Sequence, residues 1–158
     1  MAAVLGVGNA TLDIIHLVDR YPLENEEVRC RSRLLRRGGN TANTLVVLGQ
    51  LGISCSWAGV LADNADGHYI GRDLQDHGVD ISPSRLLTGG SVPVSSVLVS
   101  AATGSRTITH YRDLPEYGYA DFAEIDLRPF DWLHFEGRNV ADTRRMLERV
   151  RASGSGVP

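Results

Sequence analysis

The spacing of apolar positions changes period several times along the chain. Residues 2–7 form a short apolar run ending in Gly6-Val7-Gly8-Asn9, as a buried strand feeding a tight turn would. Residues 12–18 (LDIIHLV) are rich in β-branched side chains and predict a second strand, in which His16 reads as a half-exposed structural residue. Residues 19–27 contain Tyr21-Pro22 and several acids and read as a loop. Residues 28–35 alternate with charge and predict a strand with one wet face shared by Arg29, Arg31 and Arg33, a stripe that is either solvated or meets an acidic strand. From residue 42 the period becomes helical: 42–51 predict a helix closed by Gly52. Residues 54–60 predict a strand, 65–77 an amphipathic helix stopping at Gly78, and 79–81 the lead into the next segment. This strand–helix–strand rhythm predicts a parallel sheet covered by helices.

The rhythm then breaks. Residues 91–100 and 106–111 are β-rich and are separated by the small-residue turn 101–105, a hairpin inside an α/β chain. With the strands at 12–18 and 28–35 it would form a small separate sheet, placed as a lid. Residues 120–124 read as a short helical piece. Residues 130–135 (FDWLHF) read as a strand delivering Glu136, Gly137, Arg138 and Asn139 at its carboxyl end, where open α/β sheets bind ligands. A helix at 141–151 with Arg144, Arg145, Arg149 and Arg151 outward follows, then a connecting loop at 153–158. A parallel sheet that stops on a helix leads us to expect an incomplete fold.

Candidate chemistry gathers at RGGN, residues 37–40. Gly38 and Gly39 permit positive φ and close approach of a ligand to the backbone, and Asn40 is a good N-cap. Asn43 lies one turn on, so both carboxamides share a side of the helix start, beside free N–H groups and the positive dipole end. Such a corner suits a hydroxyl-rich or anionic small molecule; it is equally what a plain turn and capped helix look like. Asp13 is an acid inside an apolar strand, to be satisfied either by an internal partner or by a ligand hydroxyl. Arg106 opens the second hairpin strand and reads first as an exposed strand arginine. The Gly6–Gly8 turn does not begin a dinucleotide fingerprint, because position 11 is threonine and a strand follows.

Composition narrows the classes. The 158 residues suit one domain, and 42% apolar content supports a core. A net charge of −3 with mixed signs offers no basic field for nucleic acid. No apolar run approaches the ~20 residues of a membrane span. The start lacks the charge pattern of a secretory signal, and Cys30 and Cys55 fit no metal spacing, so we expect a cytoplasmic protein with reduced thiols. The five histidines are scattered, and no metal site is expected.

Six segments together resemble the PfkB, or ribokinase-like, family of carbohydrate kinases, most closely its ketohexokinase (fructokinase) group. They are GNATLDII at 8–15, RYPLENEEVRC at 20–30, RRGGNTANTLVVLGQLG at 36–52, GSVPVSSVLVS at 90–100, GSRTI at 104–108 and WLHFEGRN at 132–139. The resemblance implies an α/β ribokinase-like fold, a doubly wound, mostly parallel sheet with a small β-sheet lid, of which 1–158 would be the N-terminal part. It implies ATP-dependent phosphorylation of a sugar, D-fructose to fructose 1-phosphate in that group, with Mg²⁺ and K⁺ in the complete enzyme and a homodimer formed through the lids. By motif, Asp13, Gly39, Asn40, Asn43 and Glu136 would bind the sugar, and Arg106 would lie near the nucleotide phosphates. A lid loop can place an acid in the neighbouring subunit's site, where this chain has Asn25. The family's catalytic base belongs to a Gly-Ala-Gly-Asp turn that does not occur in these 158 residues. The chain alone is therefore expected to be inactive, with a non-enzymatic, lid-dimerising or weakly sugar-binding role, or another sugar or nucleoside kinase, as the alternatives.

Overall fold

The computed structural model describes residues 2–154. Its strands are β1 (Ala3–Val7), β2 (Thr11–Val18), β3 (Ser32–Gly38), β4 (Ser54–Ala58), β5 (Val60–Ala62), β6 (Val79–Asp80), β7 (Arg85–Leu87), β8 (Val94–Ser100), β9 (Arg106–Tyr111) and β10 (Trp132–Phe135). The helices are α1 (Asn40–Gln50), α2 (Ala65–Asp76), α3 (Tyr119–Ala123) and α4 (Val140–Ser153).

A parallel sheet of order β10-β1-β4-β6 forms the body. Alternation along β1 points Leu5 and Val7 to one face and Gly6 to the other. Leu45 and Thr41 of α1 lie directly over Gly6. On the opposite face the Phe122 ring of α3 meets Phe135, centroids 5.7 Å apart, and α4 packs beside it. Helices therefore cover both faces, and Leu5, Leu45, Trp57, Ile70 and Phe122 are fully buried between them. Helix ends follow local chemistry. Asn64 caps α2 by accepting from the Gly67 N–H (3.0 Å). At the end of α1, Gly52 N–H donates to Gly49 O and Ile53 N–H to Leu48 O, closing the helix as Gly52 predicts.

The second sheet has order β3-β2-β8-β9, with β2 and β8 parallel and the outer pairs antiparallel. It is an insertion made twice. Strands β2 and β3 lie between β1 and the helix that covers it, and β8 and β9 lie between β7 and α3. β1 passes into β2 at its carboxyl end, so the lid rises from the ligand-binding side of the body. A two-strand pair, β5-β7, completes the fold; the three-residue strand 85–87 was not anticipated, and Gly59 divides the strand expected at 54–60.

Other expectations need correction. β3 starts at Ser32, not residue 28, because Arg31 N–H bonds Leu17 O and its guanidinium pairs with Asp19, outside the strand. The side chains alternating on β3 are consequently Arg33, Leu35 and Arg37 against Ser32, Leu34 and Arg36. Arg149 is not outward: it donates to Phe122 O (2.9 Å) and Ile125 O (3.1 Å) and lies over the Phe122 ring. Ser153 belongs to α4, and the remainder of the expected loop beyond Gly154 lies outside the described residues.

Candidate functional site

The chain runs from β1 across to β4 and β6, then returns to lay β10 on the other side of β1. The turn after β1 (residues 8–10) and the turn after β10 (residues 136–139) therefore part at this reversal of strand order, the place where open α/β sheets leave a crevice. The first turn of α1 and the base of the lid close over it.

Gly39 turns the chain from the lid into α1. Its φ of 99° is open to glycine, and a β-carbon there would stand 2.3 Å from Asn9 O. Gly39 itself is the N-cap residue, with no side-chain cap bond, and Asn40 is the first residue of the helix. The expectation of Asn40 as N-cap is corrected: the positive φ at Gly39 moves the start by one residue. The Asn40 carboxamide thus remains exposed, beside first-turn N–H groups that no side chain among the described residues engages. Asn43 is exposed one turn on, its N–H bonded to Gly39 O (2.9 Å).

Asp13 projects from β2 over the same hinge. One carboxylate oxygen accepts from Thr11 Oγ1 (3.2 Å); the other lies 2.4 Å from where a β-carbon at Gly38 would be. No donor among the described residues engages that second oxygen. Asp13 therefore meets both readings of the sequence, with one oxygen satisfied internally and one open. Register sets Arg36, Asp13, Ser95 and His110 abreast on one lid face, with Ser95 Oγ and His110 Nδ1 3.2 Å apart.

Glu136 lies beneath the first turn of α1. Its Oε2 accepts from Asn9 N–H (3.1 Å) and Thr41 Oγ1 (3.3 Å), and its Oε1 from Arg138 Nε (2.9 Å). Burial pushes this carboxyl upward, but the Arg138 guanidinium, the Asn9 N–H and the Thr41 hydroxyl outweigh it and hold the pKa below the ordinary glutamate value. A β-carbon at Gly8 would stand 2.2 Å from Thr41 Oγ1, so glycine is what lets Glu136 and Thr41 meet. Beyond them Arg112 Nη1 and Arg138 Nε present donors, and Glu116 an acceptor, to the Asn9 carboxamide, a setting that matches an amide oxygen toward the arginines and its nitrogen toward Glu116.

Arg106 stands apart. It is exposed at the start of β9, four residues from His110 and so roughly 13 Å along the strand from the Asp13 row. Asn25 is exposed at a φ of 60°, a turn conformation that asparagine tolerates, while the neighbouring Glu26 is bound to Arg20, whose guanidinium holds its pKa down to about 2. The structure thus gathers Asp13, Gly39, Asn40, Asn43 and Glu136 around the hinge and leaves Arg106 on the lid's far part. Thr41, Asn9, Arg37, Ser95 and His110 also belong to the hinge. Thr41 and Arg37 adjoin RGGN in sequence; Ser95 and His110 reach it only through strand register.

Comparison with known proteins agrees with this architecture. The family model described as "pfkB family carbohydrate kinase" matches residues 1–153. Mouse ketohexokinase is 38% identical over 156 residues, 98% of this chain and 52% of its own length. An ATP-dependent ribose-1-phosphate kinase of Halopiger xanaduensis is 32% identical over 157 residues, 99% of this chain and 52% of its own length. The crystal structure of a ribokinase from Cryptococcus neoformans, in complex with ADP, superimposes with a TM-score of 0.76 at 16% identity, covering 99% of this chain and 48% of that one. The chain belongs to the PfkB family of carbohydrate kinases, whose members are ATP-dependent phosphotransferases, and its fold is ribokinase-like. It spans about half the length of the curated relatives it matches.

Proposed function

We propose that this chain is the sugar-holding part of an ATP-dependent kinase that converts D-fructose to fructose 1-phosphate. The observation that carries the reading is the hinge. An unengaged Asp13 oxygen that can only accept lies against the Gly38 backbone, two residues before an α1 start whose N–H groups and Asn40 and Asn43 carboxamides can donate. A sugar hydroxyl is both donor and acceptor and answers both sides. The 38% identity to mouse ketohexokinase favours fructose, and the 32% identity to a ribose-1-phosphate kinase makes a phosphorylated pentose the competing acceptor.

Phosphoryl transfer rests on positioning and charge stabilisation. Asp13, Gly39, Asn40 and Asn43 hold and orient the acceptor, and Glu136 braces the floor by tying β10, the β1 turn and α1 together. ATP supplies the phosphoryl group. Exposed Arg106, with no side-chain partner among the described residues, is the lid group that fits a nucleotide phosphate. By resemblance to the family, Mg²⁺, K⁺ and the catalytic base would belong to the other half of the fold, with the Gly-Ala-Gly-Asp turn that these 158 residues lack. Dimerisation through the lid is supported by the cross-strand row Leu34, Ile15, Val97 and Ile108. Its end members are 44% and 48% exposed.

A coupled ADP-release assay tests this. The chain alone is expected to show no turnover, and the chain fused to the remaining half of mouse ketohexokinase to phosphorylate D-fructose in preference to ribose 1-phosphate. In the fusion, Asp13→Asn should raise the fructose KM and leave the melting temperature unchanged. Turnover by the chain alone, or unchanged fructose kinetics in Asp13→Asn, contradicts the reading.

A further inference from the structure

Arg37 is the least exposed of the basic residues in the run from 29 to 37 for which a side-chain ion pair is seen: its side chain is 8% exposed, whereas that of Arg31 is 60%. It lies on the β3 face turned toward α2, where its Nε is 2.5 Å from Asp73 Oδ2. From there its Nη1 donates to Asn43 Oδ1 at 2.6 Å. Arginine carries donors and no acceptor, so the group it faces must be the amide oxygen, which settles which way the Asn43 carboxamide is turned. Asp73 is itself held on α2, beside His77, whose Nδ1 lies 2.7 Å from the Asp73 carbonyl. The chain of contacts therefore runs from α2 through Asp73 and Arg37 to the first turns of α1.

We propose that Arg37, anchored by Asp73, is a positioning residue that makes Asn43 an obligate hydrogen-bond donor, and that the hinge selects ligands presenting a lone-pair oxygen at that point. This rests on the sugar reading above and refines it. Free asparagine can accept or donate and would tolerate many ligands. With Oδ1 turned to Arg37, the exposed Asn43 side chain directs its two Nδ2 hydrogens away from that contact, and no acceptor among the described residues engages them. Asp13, on the other side of the hinge, offers only an acceptor. The fixed donor and fixed acceptor read a particular arrangement of hydroxyl or ring oxygens and disfavour an analogue lacking the oxygen at Asn43, because a donor that a bound ligand covers without pairing loses its water and gains nothing in exchange.

The test follows the Asn43 side-chain NH₂ signals of the ¹⁵N-labelled 158-residue chain. They are expected to be ordered in the wild type, mobile in Arg37→Gln and partly restored in Arg37→Lys. D-fructose should shift them in the wild type, with an apparent affinity about tenfold weaker in Arg37→Gln. Because Arg37→Gln strands the Asp73 carboxylate, the double variant Arg37→Gln/Asp73→Asn is measured beside it and should give the same loss of order in a folded chain. Asn43→Asp keeps an oxygen for Arg37 and removes the N–H donors; it should melt as the wild type does and lose the response to fructose, read from the Asn40 amide signals. A mobile Asn43 in the wild type, equal order with and without Arg37, or full fructose affinity in Asn43→Asp overturns the proposal. Ordered, Arg37-dependent Asn43 signals that neither D-fructose nor ribose 1-phosphate shifts would support the positioning role and sink the sugar reading instead.

Discussion

In the body sheet, β1 has helices on both faces, and the strands beside it bury Trp57 and Leu133. In the lid, β9 is exposed along its whole length, and Leu34 and Ile108 are the exposed ends of an apolar row on the same sheet face as Asp13. Both sheets have four strands, yet only the body closes an apolar core. The lid is fastened at its base, by Leu12 and Val94 packed on the core, Tyr69 bonded to Leu35 O, and Arg37 held by Asp73. The difference teaches that the two sheets do separate jobs. Burial makes the body a stable frame, while the lid buries its central strands, down to Val18 and Ser100 at the far end, and leaves β9 uncovered. The candidate site sits on the seam, where the first turn of α1 and the base of the lid sheet meet.

Truncating one residue in each sheet separates the two. Phe122→Ala should lower the urea-unfolding free energy by about 3–5 kcal/mol, whereas Ile108→Ala on the lid's outer row should stay within about 0.5 kcal/mol. Similar losses from the two would mean that the lid is as much a part of the cooperative core as the body. Next in size is the seam. Gly39→Ala forces a β-carbon against Asn9 O at a positive φ and should cost roughly 1–3 kcal/mol by the same measurement. A wild-type melt in Gly39→Ala would show that the hinge relaxes freely.

Glu136 gives a test in pH. Its folded pKa lies below its unfolded value, so its contribution is fully present above the ordinary glutamate value and is lost as pH falls through the lower folded one. Glu136→Gln should therefore be less stable near neutrality and should show a shallower decline in stability across the acid range. A parallel pair of curves would mean that the Thr41, Asn9 and Arg138 contacts do not depend on the charge. The smallest effect on folding is expected from Ile108→Asp. It should leave the melting temperature nearly unchanged and weaken self-association in sedimentation velocity if the uncovered row is a dimer face. Unchanged association would remove the lid row as that face.

Much of this could be read from the chain, for identifiable reasons. The body helices carry periodic apolar positions and end in Gly52 and Gly78, so their existence and ends were visible. The lid was visible because its hairpin interrupts that period. What failed depended on distant contacts. β5 and β7 are three residues each, too short to show alternation. The start of β3 depends on a bond from Arg31 to Leu17. Arg149 looked solvated on a helical projection and is instead held by carbonyls 24 and 27 residues away. At the site, Asp13 and the RGGN turn stood out as an acid in an apolar strand and a glycine pair before an asparagine. Ser95 and His110 did not, since only the registers of β2 with β8 and of β8 with β9 bring them alongside Asp13. Nor did the role of Arg37, which was one arginine among several until its burial was seen.

Hydrogen exchange with and without D-fructose asks the seam itself whether a sugar binds there. On fructose addition, slower exchange is expected, confined to the N–H groups of residues 11–14 and 38–43, with the body strands unchanged. Protection elsewhere, or none at the hinge at fructose concentrations that saturate the fused enzyme, would contradict it.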